Sequence, residues 1–158
     1  MLKNKYVAIS KGFTLLELLI VMAIIGIMAT ILMVLVNPAR QLAKARDSER
    51  RSDIYAIVSA IDRYATEHSG SLPDTDGDEE TSNFPTNPTC IGSGGGCFNL
   101  AGAGETGETI VPEYMYEIPT DPRTGDQSDT GYLIYIDENN YIHASASAET
   151  ETDISVVR

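Results

Sequence analysis

The chain has no tryptophan, two histidines, two cysteines and three phenylalanines in 158 residues. Each shortage excludes a class of chemistry. The histidines, His68 and His143, fall in neither a His–Asp–Ser nor a Cys–His pattern. Nucleophilic and general-base catalysis of the usual kinds needs such a pattern, so the chain reads as no enzyme. Two cysteines are too few for a four-thiolate zinc site. Basic residues nearly vanish after residue 69. Residues 1–69 hold nine basic and six acidic side chains, net +3; residues 70–158 hold two and seventeen, net −15, which sum to the −12 of the whole. Phosphate binding needs clustered lysine or arginine, so nucleic acid is not indicated as a partner. Acidity of this kind keeps an exposed domain soluble.

One long apolar run dominates what is present. From Leu18 to Val36 there are 19 residues, and Thr30 is the only polar one among them. As a helix at ~1.5 Å per residue the run is roughly 28 Å long, close to the ~30 Å hydrocarbon core of a bilayer. A soluble core helix would carry a polar stripe, and this one has none. Before the run, Lys3, Lys5 and Lys11 stand without an acid. Under the positive-inside rule they hold the N-terminus in the cytoplasm and place the rest outside it. A cleaved secretory signal fits poorly, because the run is too long and no small-x-small site follows Val36. Glu17 sits just inside the apolar segment. A carboxylate at that depth costs on the order of 3 kcal/mol on insertion scales, which calls for a partner or a task.

Lys11-Gly12-Phe13-Thr14-Leu15-Leu16-Glu17-Leu18-Leu19 resembles the prepilin processing motif of type IV pilins and of the pseudopilins of type II secretion systems. The resemblance implies that a prepilin peptidase cuts after Gly12 and methylates the new N-terminus at Phe13. Glu17 then becomes the fifth residue of the processed chain, where that family carries its glutamate. It also implies copies of the chain and related pilins as filament partners, together with an inner-membrane assembly platform. The protein would sit in the cytoplasmic membrane as a single span, with its C-terminal head outside, before entering an extracellular or envelope filament. The residue chemistry agrees. A peptidase that must grip the backbone favours a residue without Cβ. The amine freed at Phe13 lies one helical turn from Glu17, and an axial offset between two stems would bring one chain's carboxylate to the next chain's amine.

The chain divides into four segments: a leader, 1–12; an apolar helix, 13–36; an amphipathic continuation, 37–69; and an acidic head, 70–158. Gly26 and Ala29 put two small residues on the stem, a weak signal for close helix approach. Pro38 removes a backbone donor, which predicts a kink there or marks the membrane boundary. Beyond it, Asp47 lies at i,i+3 and i,i+4 spacing from Arg50 and Arg51, within helical ion-pairing reach. Ile54, Ile57, Val58, Ile61, Tyr64 and Ala65 form a core-facing stripe. Ser69-Gly70-Ser71-Leu72-Pro73 ends the helix, near which His68 is a favourable cation for the dipole.

Residues 71–112 read as a long loop, with prolines at 73, 85, 88 and 112 and glycines at 94, 95 and 96. Asp74, Asp76 and Asp78 alternate as calcium loops do, yet the glycine is misplaced and the later bidentate glutamate is missing. Calcium and a solvated acidic loop both stay open. Cys90 and Cys97 enclose a glycine-rich hexapeptide and, outside the cytoplasm, are placed to form a disulfide. Tyr132–Ile136 and Tyr141–Ser145 read as a hairpin turning at 137–140, with 153–157 as a third, edge strand. The stretch Val111–Pro122 resembles the one leading into the sheet of major pseudopilins, although Arg123 replaces the aromatic usual after Asp-Pro there. Those pseudopilins hold calcium nearby, which implies Asp121, Asp126 and Asp129 as ligands. No other cofactor is indicated. The expected fold is α+β and pilin-like: a long N-terminal helix whose second half packs on a small antiparallel sheet.

The expected function is a structural subunit of a type IV pilus-like filament. One alternative is a type II secretion pseudopilin. A second is a single-span anchored binding domain that never assembles.

Overall fold

The computed structural model describes residues 12–76, 81–105 and 107–158. The expected leader, apart from Gly12, lies outside them, as do Asp78 and Thr106. The chain forms two compact units, residues 1–41 and 42–158.

In the first unit, helix α1 spans Leu15–Val36 and buries none of its side chains. Its one polar residue past Glu17 is self-satisfied, the Thr30 hydroxyl donating to the Ile27 carbonyl at 2.7 Å. The single helix expected to run through Pro38 is instead two. Asn37 ends α1 in the left-handed region (φ 44°, ψ 77°), and Pro38 is the first residue of α2, Pro38–Glu67. The interruption therefore lies at Asn37, and Pro38 does not kink a continuous helix. Asparagine tolerates left-handed backbone, and proline's fixed φ and missing N–H suit the first helical position. Asn37 also caps α2, its carbonyl accepting from the Arg40 and Gln41 N–H groups.

In the second unit, α2 turns Ile54, Ile57, Val58, Ile61 and Tyr64 inward, all buried. Ala60 is buried with them, and Ala65 is only partly so. The helix ends as Ser69 adopts φ 57° and the Gly70 N–H reaches the Ala65 carbonyl at 2.7 Å. Ser69 and the expected Gly70 both take positive φ, 57° and 97°.

Strand β1 is Thr89–Cys90, and β2 (Gly104–Glu105) pairs with β3 (Glu108–Thr109) as a separate short hairpin. The C-terminal strands are β4 (Tyr132–Ile136), β5 (Ile142–Ala146) and β6 (Ile154–Val157), and the main sheet is antiparallel in the order β1-β4-β5-β6. Its inner face alternates as a half-buried sheet must: Tyr132 and Ile134, then Ile142, Ala144 and Ala146, then Ile154 and Val156. The hairpin and edge strand match the sequence reading to within a residue.

The segment read as a long loop is more ordered than that. It contributes β1, β2, β3 and a turn of 3-10 helix at Leu100–Gly102. It also seals the core with Phe84, Ile91, Phe98, Leu100, Ala103 and Ile110, joined by Tyr114 just beyond it. These apolar residues are spaced without helical or strand period, so pattern reading passes over them. The result is an α+β architecture consistent with a pilin-like fold.

Candidate functional site

The N-terminal site is built from a short extended entry and the first turn of α1. Gly12 is exposed, Phe13 is 74% exposed, and Thr14 has extended backbone (φ −83°, ψ 149°). The Thr14 hydroxyl caps the helix by accepting from the Glu17 N–H at 3.2 Å, while its carbonyl accepts from the Leu18 N–H at 3.2 Å. Threonine followed three residues later by glutamate is a capping arrangement. It starts the helix two residues after Phe13 and puts the Glu17 carboxylate at the positive end of the helix dipole. A side chain added at Gly12 would meet nothing within 4 Å. Packing among the described residues therefore places no demand for glycine there. From Leu15 to Val36 every side chain is exposed, and the helix is long and apolar enough to cross a membrane. Glu17 is the only ionisable group on it.

Among the described residues, which leave out Asp78, no three of the acids considered for calcium bring their carboxylate oxygens within 4.8 Å of one another. The Asp76 carboxylate accepts from the Thr81 hydroxyl at 3.3 Å, and Asp74 contributes its carbonyl to the Gly104 N–H at 2.7 Å. Asp126 is engaged within its own turn, accepting from the Ser128 and Asp129 N–H groups at 2.7 and 3.0 Å. Asp129 accepts from the Gly131 N–H at 2.9 Å. Among the described residues, the only metal-ligating triplet whose ligand atoms lie within 4.8 Å of one another is Cys90, Cys97 and Asp129. Cys90 and Cys97 are joined as a disulfide, with Cα atoms 4.6 Å apart. Disulfide sulfurs are not thiolates, so that triplet offers no soft ligand.

Asp121 belongs to an ion-pair cluster that sequence reasoning missed. It is buried, and Arg50 of α2 donates to it through Nε and through Nη2. The same guanidinium reaches Asp47 at 2.8 Å and Glu149 at 2.9 Å. Asp47 in turn accepts from the Glu149 and Thr150 N–H groups at 2.9 and 2.8 Å and from the Thr150 hydroxyl at 2.6 Å. Arg46 closes the outside of the cluster with two bonds to Glu149, at 2.7 and 2.6 Å. One buried cation thus ties α2 to the loop before β4 and the loop before β6.

The hydrogen bond from Arg50 holds the Asp121 carboxyl well below its ordinary range despite burial, helped by the Arg123 and Thr124 N–H groups. At Asp47 burial opposes ionisation, but the bonds from Thr150, Glu149 and Arg50 outweigh it and the carboxyl is again lowered. Glu149 is lowered to about 2, chiefly by Arg46. Of the helical pairs expected from spacing, Asp47–Arg50 forms, while Arg51 turns to Glu151 at 2.6 Å. The i,i+3 spacing announced the first pair; nothing local announces a partner 71 positions away.

The described residues thus combine an α+β head with a preceding apolar helix that exposes every side chain and begins just after Gly12. Residues 8–33 match the family model of the prokaryotic N-terminal methylation motif, the signature of type IV pilins and pseudopilins. No curated protein and no solved structure matches the chain. The motif supports a type IV pilin or pseudopilin class, generally structural, and with the apolar helix fits a membrane-anchored chain.

Proposed function

We propose that this protein is a structural subunit of a type IV pilus-like filament, trimmed after Gly12 by a prepilin peptidase and assembled through α1. The observation that carries the reading is a 22-residue helix with no buried side chain and one carboxylate, beginning within the N-terminal methylation motif. Such a helix is stable in lipid, or in a bundle of its own kind, and nowhere else. In the membrane its apolar surface faces lipid. In a filament it faces other stems, and Glu17 gains a partner in the Phe13 amine of a neighbouring chain. That pair offsets the cost of burying either charge alone and favours one axial register over the rest.

The acidic head forms the filament surface. The closely related alternative, a pseudopilin of a type II secretion system, uses the same processing and the same stem. It is favoured by the Ile118–Pro122 stretch leading into the sheet.

Intact mass and N-terminal sequencing of protein from membranes and from sheared surface material test the proposal. A chain beginning at N-methylated Phe13 in the sheared fraction is the expected result. The same mature chain confined to the membrane fraction would favour the pseudopilin. A chain still beginning at Met1 in cells with an active prepilin peptidase would overturn both and leave an anchored domain that does not assemble.

A further inference from the structure

A cavity of about 540 Å³ in the second unit is lined by residues from 91–101, 111–120 and 126–130. Its apolar lining includes Ile91, Leu100, Val111, Ile118 and Pro119, and it is large enough for a long side chain. Its ionisable residues are Glu117 and Asp126, and no basic residue lines it. One wall is firmly held. The Ser93 N–H and hydroxyl both donate to the Gln127 carbonyl, at 2.9 and 3.0 Å, and the Gly94 N–H donates to the Ser128 carbonyl at 2.9 Å. A Cβ at Gly92 would strike that same Ser128 carbonyl, so only glycine allows the approach. Asp126 Oδ1 accepts from the Ser128 hydroxyl and from the Asp129 and Ser128 N–H groups. These bonds, the hydroxyl's foremost, hold the carboxyl below its ordinary range. Oδ2 has no partner among the described residues, and the exposed Glu117 carboxylate has none either.

The cations that could answer these two acids are few. Arg46, Arg50, Arg51, Arg123 and Arg158 are already in ion pairs, and Arg63 lies over the Tyr114 ring. Arg40 and Lys44 are exposed and form no ion pair among the described residues. Arg40 belongs to the stem unit, whereas Lys44 belongs to the same compact unit as the cavity without lining it. Heads whose residues 70–158 carry net −15 repel one another when stacked. A cavity with two carboxylates and no base adds to that repulsion until a cation enters it.

We propose that the cavity is the docking site for Lys44 of a second copy of this chain, an inference that rests on the filament reading. The match is one of shape and charge. A lysine combines an apolar stem with a charged head. The stem lies along Val111, Ile118 and Pro119, and the ammonium donates to Glu117 and Asp126. The donor and the acceptor are different patches of one chain, so each copy offers Lys44 to one neighbour and its cavity to another. Such heterologous contacts extend into rings or open helical filaments, where a self-complementary contact would stop at a dimer.

Beyond the leader Lys44 is the only lysine in the sequence, which makes the contact specific to detect. The test is carbodiimide cross-linking, which joins an amine directly to a carboxylate, applied to sheared filaments and to membranes. The expected result is a dimer on denaturing gels whose mass spectrum contains a peptide joining Lys44 to Glu117 or Asp126. Lys44→Arg should keep the charge and the filaments but lose that cross-link. Lys44→Glu should lower incorporation into the sheared fraction about tenfold, because like charges then meet, and adding Glu117→Lys should restore most of it. Both side chains are exposed and unpaired, so thermal unfolding midpoints should match the parent's. Absence of the cross-linked peptide, or normal incorporation of Lys44→Glu, would overturn the docking site and leave the filament reading standing. A parent chain still beginning at Met1 would overturn the filament reading itself, and the docking site with it.

Discussion

Arg50 shows why arginine and lysine are not interchangeable at a buried junction. Its planar fork addresses both oxygens of Asp121 while another nitrogen serves Asp47 and Glu149. A lysine ammonium is a single point and cannot span them. Replacing Arg50 with leucine leaves two buried carboxylates without their cation. It should cost about 3 kcal/mol or more in a denaturant unfolding experiment, the usual consequence of removing one member of a buried pair. The pH response follows from the same groups. Asp47, Asp121 and Glu149 hold protons less tightly when folded than when unfolded, so the unfolded chain takes up more protons as pH falls. The stabilisation is fully present above about pH 5 and is lost on descent from about pH 4.5 toward 2. Unfolding midpoints measured across that range should fall steeply in the parent chain. In Arg50→Leu the decline should be shallower, because carboxyls that lose the bonds depressing them no longer hold protons so much less tightly in the folded chain than in the unfolded one.

At the scale of elements, two short devices organise what local pattern left open. The Cys90–Cys97 disulfide closes a hexapeptide loop whose backbone is also pinned, Phe98 N–H to Cys90 carbonyl at 2.7 Å and Gly92 N–H to Phe98 carbonyl at 3.0 Å. Because β1 ends at Cys90 and Ile91 and Phe98 are core residues, the staple holds a corner of the sheet. Reduction, or Cys97→Ser, should lower stability by about 2 kcal/mol on the chain-entropy estimate for so short a loop. Hydrogen exchange should then rise first in residues 89–98. Unchanged protection there would show that the backbone bonds suffice alone. The second device is Asn37, which closes α1 and caps α2 with one residue in left-handed backbone. A proline in sequence announces that a helix is disturbed nearby, but which neighbour absorbs the turn depends on the backbone each tolerates.

For the whole molecule, stem and head answer to different solvents. The stem's exposed apolar surface is stable only against lipid or other stems, while the head has its own core and an acidic exterior. Glu17 is where this division has consequences for assembly. Glu17→Ala should leave the protein in the membrane, because removing a carboxylate makes insertion easier. If Glu17 pairs with the Phe13 amine of a neighbouring stem as proposed, the substitution should also reduce incorporation into sheared filaments severalfold. Immunoblots of the two fractions at matched expression measure this, and normal incorporation would count against the register role.

The sequence by itself determined the features that depend on neighbours along the chain. The processing motif, the apolar helix, the α2 stripe Ile54–Tyr64 and the β4–β5 hairpin were all legible, because membrane length and the 3.6- and 2-residue periods are local properties. Tertiary structure alone decided the rest. Asp121, a calcium candidate by resemblance, became the partner of Arg50. The supposed loop 71–112 became part of the core. His68, which a linear reading treats as a helix-end cation, came to face Glu105 and Glu108. The physical reason is common to all three. A side chain buried among distant segments must find its partners wherever folding brings them, and that pairing leaves no period in the sequence to read.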